Sequence, residues 1–289
     1  MNSILPLKYK RIAVFALSRT PDAQRLQPAL AKLHQSGIAT ELPQLSPTRY
    51  LATTSADGFN VQMRLPVDAM IAACGGYGAL RLLEQIDFEC LVNRNIPIVG
   101  FSDVSALHLA AYKFGAKRQI HGPMLCSHFS GEISQFTLLS LQRCLNDENP
   151  FLPGNLKVIK EGYASAPIIA TNLAMLCSLL ETPFMPDLRG TILAIEDIGE
   201  AAYRIDRMLT QLRLADVLSG LKGLIFGQFT DAEDAEYLPE IIREFAEHIN
   251  GPVLSNLQFG HCHDTLSIPL GQQIEIRNEK LDLMRKYRR

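Results

Sequence analysis

The sequence of 289 residues predicts an α/β protein whose parallel sheet is covered by helices on both faces. Short apolar runs alternate with amphipathic helical stretches through the first half, which is the pattern of parallel-sheet proteins. Hydrophobic residues form 47% of the chain and supply a sizeable core. The loop-like segment 146–155 carries two prolines and a glycine. We therefore predict a boundary there between two domains, 1–150 and 151–289.

The elements of the first half follow from their hydrophobic period and from their ends. A helix is predicted over 24–35 and another over 103–114, because Gly37 and Gly115 follow them in the position that glycine favours after a helix. Continuous apolar runs predict buried strands. These predicted strands are 11–17, 38–42, 68–74 and 96–101, and further helices are predicted over 78–86 and 133–145.

The second half predicts another set of strands and helices. The strands are 167–170, 191–195, 223–229 and 273–277, and the helices are 173–181, 203–218 and 238–249. The C-terminal segment 273–284 resembles a β-hairpin that turns at Asn278 and Glu279.

Composition and charge exclude several classes of function. A net charge of -2 provides no basic field for a polyanion, so nucleic-acid binding is not expected. The longest apolar stretch, 168–180, is interrupted by polar residues and is shorter than the about 20 residues that a bilayer span needs, so no membrane span is expected. The six cysteines show no C-x-x-C spacing and fit free thiols of a reducing compartment, which predicts a cytoplasmic protein.

Ser102 is the most informative single residue. A predicted strand delivers it to a sharp turn, and a predicted helix begins at the next residue. Open α/β folds place ligands at the carboxyl ends of strands, and the first N–H groups of the helix point at the same place. The arrangement fits a nucleophile elbow, although G-x-S-D replaces the usual G-x-S-x-G. Serine is equally suited to capping the helix, and this interpretation stays open.

Gly75 and Gly76 lie at the end of another predicted strand, within Cys74-Gly75-Gly76-Tyr77-Gly78. Glycines let backbone N–H groups approach a ligand closely. The segment matches neither G-x-G-x-x-G nor G-K-[ST], so a nucleotide phosphate is not expected. It is either an ordinary strand-to-helix turn or a second backbone donor for an oxyanion.

Glu196 follows an apolar strand, where a carboxylate is costly unless it is paired or used. A buried structural carboxylate is the alternative. On the helix that follows, spacings of three and four predict ion pairs at the surface, among them Arg204 with Glu200.

His261 and His263 stand on alternate positions beside Asp264. They could ligate zinc, but no HExxH and no third ligand at helical spacing accompanies them, so no metal site is predicted. One of them could be a catalytic base, and a plain loop histidine is the alternative. Ser–His catalysis needs a third group to orient the imidazole, and Glu serves as well as Asp.

Several segments resemble the serine LD-carboxypeptidases, peptidase family S66. Their order and spacing agree with the family across roughly residues 70 to 270. The segments are 74–78, 100–108, 121–123, 193–200 and 203–209, followed by Gly260 and His261.

The resemblance implies a catalytic triad in which Ser102 is the nucleophile, His261 the general base and Glu196 the acid that orients it. It also implies a fold: an N-terminal Rossmann-like (flavodoxin-like) domain with the serine, and a smaller β-rich α/β C-terminal domain with the Glu and His. The active site would lie between the two domains. The family is typically homodimeric and requires no metal or cofactor.

The resemblance further implies an oxyanion hole made by the backbone N–H groups of Asp103 and of the turn at Gly75 and Gly76. The implied reaction releases the terminal D-alanine from the cytoplasmic murein tetrapeptide L-Ala-γ-D-Glu-meso-Dap-D-Ala in peptidoglycan recycling. This substrate is rich in carboxylates, so Arg204 is a candidate for binding one of them, with the ion pair to Glu200 as the alternative.

Three departures from the family pattern bear on the substrate. The family usually has an arginine where this chain has Cys74, segment 53–65 matches poorly, and Ala170 and Thr171 replace two glycines. One alternative function is a microcin-type self-immunity serine peptidase, which relies on an aromatic loop, whereas this chain has no Trp. The other is a non-catalytic muropeptide-binding protein, which would not need a complete triad.

Overall fold

A computed structural model describes residues 4–6, 8–42, 45, 48–148, 156–277 and 280–283, the last four by their backbone alone. The strands of the first half are β1 (Arg11–Phe15), β2 (Ala39–Glu41), β3 (Thr48–Arg49), β4 (Ala52–Thr53), β5 (Ala69–Ala72), β6 (Ile98–Gly100) and β7 (Gln119–His121). Its helices are α1 (Ala23–Gln35), α2 (Asp57–Arg64), α3 (Ala79–Leu82), α4 (Phe88–Arg94), α5 (Ser105–Lys113) and α6 (Gln135–Leu145).

The second half begins with β8 (Lys157–Lys160), β9 (Tyr163–Asn172), β10 (Ile192–Ile198), β11 (Gly223–Thr230) and β12 (Val253–Ser255). It ends with β13 (Ile268–Pro269), β14 (Gln272–Arg277) and β15 (Lys280–Leu283). Its helices are α7 (Leu173–Leu179), α8 (Ala202–Leu214) and α9 (Leu238–Ala246).

The first sheet has the strand order β13-β7-β6-β5-β1-β2. The strands β2, β1, β5, β6 and β7 run parallel, and β13 joins the edge antiparallel to β7. The strands β3 and β4 form a separate hairpin. When the five parallel strands are renumbered 1 to 5 along the chain, their order in the sheet is 2-1-3-4-5, as in flavodoxin-like folds. The segment from Ile12 to Phe15 is buried throughout, because helices cover both faces of a parallel sheet.

The second sheet has the order β15-β14-β9-β10-β11-β12-β8. Its centre, β9 to β12, is parallel, and β8, β14 and β15 add antiparallel edges. Within residues 156–277 and 280–283, more residues lie in strands than in helices, as expected for a β-rich α/β C-terminal unit. The α/β fold class with a flavodoxin-like first sheet is therefore confirmed.

The two sheets share one apolar core. A single buried cluster contains Phe15 and Leu107 from the first half together with Ile195 and Phe226 from the second. Helices α5 and α7 pack against each other across this core. The short strand β13 comes from the second half but pairs with β7, with Ile268 opposite His121. These contacts hold the carboxyl ends of β6 and β10 near each other.

Several predicted elements differ at their ends from those observed. The predicted helix 78–86 is split into α3 and a 3₁₀ turn at Leu83–Gln85, and a 3₁₀ turn at Ser102–Val104 precedes α5. The boundary predicted between 150 and 151 lies outside the described residues. So does the hairpin turn at Asn278 and Glu279, although the flanking strands β14 and β15 do pair antiparallel. Among the described helices, none has the length and apolar character of a membrane span.

His108 is a fully buried histidine on α5, and its ring contacts residues of β6 and β7. Its Nδ1 lies 3.0 Å from Gln119 Oε1 and its Nε2 lies 3.0 Å from the Gly100 carbonyl oxygen. Burial lowers the pKa of His108 to about 4, and the hydrogen bonds oppose this only in part. The folded protein therefore keeps this imidazole neutral at pH values where the unfolded chain protonates it.

We expect His108→Gln to make stability less sensitive to acid. In the wild type, the unfolded chain binds a proton below its pKa of about 6.5 and the folded protein only near 4, so stability falls as the pH drops between these values. The loss is up to about 1.4 kcal/mol per pH unit. Urea unfolding at pH 7, 6 and 5 measures it, with the exposed His34→Gln as control. Equal pH slopes for wild type and His108→Gln would contradict the assignment.

Candidate active site

Ser102 lies in a strained turn directly after β6. Phe101 is extended, with φ of -153°, and Ser102 then adopts a φ of 62° before the chain enters the 3₁₀ turn and α5. A non-glycine residue rarely occupies this left-handed region, and such strain is common where a side chain is presented for chemistry. Ser102 caps neither the turn nor α5, since no side-chain cap hydrogen bond is formed at either start. The geometry is that of a nucleophile elbow.

The glycine turn after β5 packs directly on the serine. A Cβ added to Gly75 would lie 2.9 Å from Ser102 Cβ and 3.0 Å from Ser102 Oγ, so a side chain does not fit there. Gly76 has a φ of +128°, which also favours glycine. The structure thus places Gly75 against the serine, with Gly76 as the next residue of the same turn.

Asp103 ties the two turns together through its side chain. Its carboxylate is buried, and Oδ2 accepts a hydrogen bond from the Ala79 backbone N–H at 2.8 Å, at the start of α3. Burial raises the pKa of the Asp103 carboxyl. Because Ala79 follows the glycine turn, this bond fixes the position of that turn relative to Ser102.

Glu196 and His261 form a buried, hydrogen-bonded pair. Glu196 Oε2 lies 2.8 Å from His261 Nδ1 and also accepts the His261 backbone N–H at 3.1 Å. The carboxylate is 0% exposed. Burial alone would raise the pKa of Glu196, but the two neighbouring histidines, His121 and His261, outweigh it and lower the pKa to about 2. The carboxylate is therefore ionised and holds the proton of His261 on Nδ1.

The strand β10 delivers Glu196 through an irregular register. The pairing of β10 with β11 shifts between Ile195 and Asp197, a bulge of the kind that redirects side chains beside functional sites. Asp197 points to α7, where Oδ2 accepts the Ala174 N–H at 2.9 Å and Oδ1 accepts from Asn172 Nδ2 at 2.8 Å. Burial raises the pKa of Asp197 to about 6. Asn172 Nδ2 also lies 3.4 Å from Glu196 Oε1, so the adjacent carboxylates share this amide, while Glu196 alone contacts His261.

His121 was missed as a site residue by the sequence analysis. It is fully buried at the end of β7, and its Nε2 lies 3.8 Å from Glu196 Oε1, on the opposite side of the carboxylate from His261. Neither ring nitrogen has a hydrogen-bond partner among the described residues. The rings of Phe101 and Phe259 pack against it. The only sequence signal was its place in segment 121–123.

Phe101 connects the serine turn to the histidine loop. Its ring meets the His261 imidazole edge-on at a centroid distance of 4.7 Å. The His261 carbonyl oxygen accepts the Thr230 hydroxyl at 2.5 Å, which anchors the loop to β11. The residue before Ser102 thus contacts the ring that Glu196 holds.

A cleft of about 710 Å³ opens beside these residues. Side chains from both halves line it, including Arg25, Phe101, His128, Ile198, Thr230 and His261. Burial lowers the pKa of His128 to about 4, so this imidazole is neutral at pH 7. The cleft is large enough for a short peptide.

Arg204 and His263 stand apart from the buried pair. Arg204 is exposed and pairs with Glu200 at 3.6 Å, as the helix spacing predicted, while its Nε donates to Tyr203 Oη at 3.2 Å. His263 is exposed and lies 2.9 Å from Asp264 Oδ1. Within the described ranges, no three His, Cys, Asp or Glu side chains converge to hold a metal ion.

Comparison with known proteins places the chain in a family. The model of the LD-carboxypeptidase N-terminal domain matches residues 12–122, and that of the LD-carboxypeptidase C-terminal domain matches residues 165–276. The chain belongs to the LD-carboxypeptidase family. The resemblance drawn from its sequence is confirmed, and this LD-carboxypeptidase is a serine carboxypeptidase, a hydrolase.

Individual relatives agree with this assignment. The chain is 30% identical to the murein tetrapeptide carboxypeptidase of Pseudomonas aeruginosa, with 94% of each chain covered. The crystal structure of muramoyltetrapeptide carboxypeptidase from Oxalobacter formigenes is 27% identical, covers 95% of this LD-carboxypeptidase and 98% of that chain, and has a TM-score of 0.82. The microcin C7 self-immunity protein MccF has a TM-score of 0.89 at 21% identity, with 99% of both chains covered, and shows the fold alone.

Proposed function

We propose that this LD-carboxypeptidase releases the terminal D-alanine from the murein tetrapeptide L-Ala-γ-D-Glu-meso-Dap-D-Ala through a Ser102–His261–Glu196 triad. The observation that carries the proposal is the buried bond from His261 Nδ1 to Glu196. Phe101, whose ring contacts His261, is followed directly by Ser102 in the strained left-handed region. Relatives named for murein peptides supply the substrate class.

The first half of the reaction follows from the proton positions. With its Nδ1 proton directed at Glu196, His261 keeps Nε2 free to take the Ser102 hydroxyl proton. Ser102 Oγ attacks the diaminopimelyl carbonyl carbon, and the oxyanion accepts hydrogen bonds from the backbone N–H groups of Asp103 and of the turn at Gly75 and Gly76. Ionised Glu196 stabilises the imidazolium that forms.

The second half regenerates the enzyme. The carbon–nitrogen bond breaks as His261 Nε2 gives its proton to the leaving amine, and D-alanine departs. Water then loses a proton to His261 and attacks the acyl group on Ser102, which releases the tripeptide and restores the serine hydroxyl.

The proposal extends to location and assembly. The family resemblance and the six free cysteines support a cytoplasmic homodimer that acts on recycled murein peptides. Arg204 stays a candidate contact for a substrate carboxylate. Light scattering of the purified protein tests the dimer, and a monomer mass would contradict it.

Purified enzyme incubated with three substrates tests the function. We expect a mass loss of one alanine from the tetrapeptide ending in D-alanine, and none from the same peptide ending in L-alanine. The third substrate is aspartyl sulfamoyl adenosine, which is bound by MccF. Its hydrolysis, with the tetrapeptide left intact, would replace the murein assignment by the immunity-type peptidase.

A further inference from the structure

Arg19 stands at the point of the first sheet where ligands bind in open α/β folds. Strand order reverses between β1 and β5, and the ligand crevice lies outside the carboxyl ends of such strands. Arg19 follows β1, and the glycine turn follows β5. A Cβ added to Gly76 would lie 3.0 Å from Arg19 Cδ and 3.4 Å from Arg19 Nε, so the arginine stem lies across this turn.

The same turn touches the nucleophile. Gly75 packs on Ser102 and Gly76 packs on Arg19, and neighbouring Cα atoms are about 3.8 Å apart. The guanidinium and the serine hydroxyl are therefore held beside two consecutive residues. A terminal carboxylate is only three bonds from the carbonyl carbon that the serine attacks, so its binding group has to stand this close to Ser102.

Arg19 is an exposed residue, and its guanidinium has no carboxylate within ion-pair distance in the described part of the chain. Arg11 and Arg189, by contrast, pair with Glu41 and Asp187 at 2.7 and 2.6 Å. Asp22 on the same loop accepts the Gln24 N–H instead, at the start of α1. An arginine without an anion beside a reacting serine suits a substrate carboxylate, which it can bind with two parallel hydrogen bonds.

Other basic side chains near the cleft fit this role less well. His128 is neutral at pH 7. Arg25 lines the wider cleft from α1, whereas Arg19 contacts the turn that touches the serine. Cys74 precedes the turn, and its Sγ lies 3.6 Å from the Arg19 carbonyl oxygen, so Arg19 contacts Cys74 through its backbone and Gly76 through its side chain.

We propose that Arg19 binds the α-carboxylate of the leaving D-amino acid and so makes the enzyme a carboxypeptidase rather than an endopeptidase. The inference rests on the proposed function and adds the group that recognises the chain end. It assigns Arg19 a substrate-binding role and no part in proton transfer.

Three peptides test the proposal: the tetrapeptide acid, the same peptide with a C-terminal carboxamide, and the peptide with only the diaminopimelyl side-chain carboxylate amidated. We expect wild type to prefer the acid over the carboxamide. Arg19→Gln lowers kcat/KM for the acid about 30- to 100-fold and leaves kcat/KM for the carboxamide unchanged. Arg19→Lys recovers part of the loss, because it keeps the charge without the planar fork.

The control is Arg213→Gln. Arg213 is exposed in the last turn of α8, about 17 Å along this helix from its first residue, Ala202. Arg213→Gln should leave kcat/KM for the acid and for the carboxamide unchanged.

Three results would overturn the assignment. First, Arg19→Gln could slow cleavage of the acid and of the carboxamide equally. Second, Arg19→Gln could slow cleavage of every peptide except the one amidated at the diaminopimelyl side chain, which would assign the Arg19 contact to that side-chain carboxylate. The preference for the acid could also disappear in Arg25→Gln but persist in Arg19→Gln. If wild type cleaves none of the peptides, the proposed function fails, and the Arg19 assignment falls with it.

Discussion

Ser102→Ala is expected to lower D-alanine release by at least about 10³-fold, because it removes the hydroxyl oxygen that forms the acyl-enzyme in the proposed mechanism. The backbone donors of Asp103 and of the glycine turn stay in place, so binding of the peptide persists and KM changes little. Residual turnover then reflects the oxyanion hole and binding alone. Steady-state assays of released D-alanine give kcat and KM, and intact-mass spectrometry shows whether an acyl adduct forms.

Ser178→Ala is the matched control for this substitution. Ser178 lies exposed on α7, and its hydroxyl donates to the Ala174 carbonyl oxygen at 2.8 Å. Ser178→Ala also removes a serine hydroxyl oxygen, but at a site far from the glycine turn, so this variant should keep wild-type kcat. Wild-type turnover by Ser102→Ala would show that another group is the nucleophile and would remove the proposed triad.

The parallel strands at the centre of both sheets could be predicted from the sequence because they are continuous apolar runs. The runs around Val14, Ile71 and Ile195 are buried on both faces, so their composition alone indicates them. The strand β7 was not predicted, since Gln119 and His121 are polar. They are buried because His108 on α5 pairs with Gln119 and because Glu196, from the second half of the chain, lies near His121, and neither contact is visible in the short segment itself.

In the candidate site, too, some residues could be predicted from local sequence and others depend on distant contacts. Strand ends and the family resemblance indicated Ser102, Glu196 and His261, and the structure brings Glu196 and His261 into contact. The left-handed turn at Ser102 is set by packing of the glycine turn and α5, so the local sequence was equally consistent with a helix cap. The positions of His121 and Arg19 depend on how separate loops pack, and no local pattern encodes that.

Gly260 shows how tightly the Glu–His pair is enclosed, since the carboxylate occupies the space where a side chain would begin. A Cβ added at Gly260 would lie 2.1 Å from Glu196 Oε2 and 2.3 Å from Glu196 Cδ, and the residue has a φ of +92°. Gly260→Ala therefore has to displace Glu196 from His261. We expect a loss in kcat of about 10³- to 10⁴-fold, the size seen when the acid that orients a catalytic histidine is removed.

Gly190→Ala separates this effect from backbone strain. Gly190 also has a positive φ, +78°, but nothing lies within 4 Å of an added Cβ. It should lose only about 1–2 kcal/mol of stability, the cost of a left-handed alanine, and keep wild-type kcat. Gly260→Ala should instead match Glu196→Gln in its kcat and in its pH–rate profile, because both changes take the ionised carboxylate away from the His261 imidazole. A Gly260→Ala enzyme with wild-type kcat would show that the Glu196–His261 bond is not required for turnover.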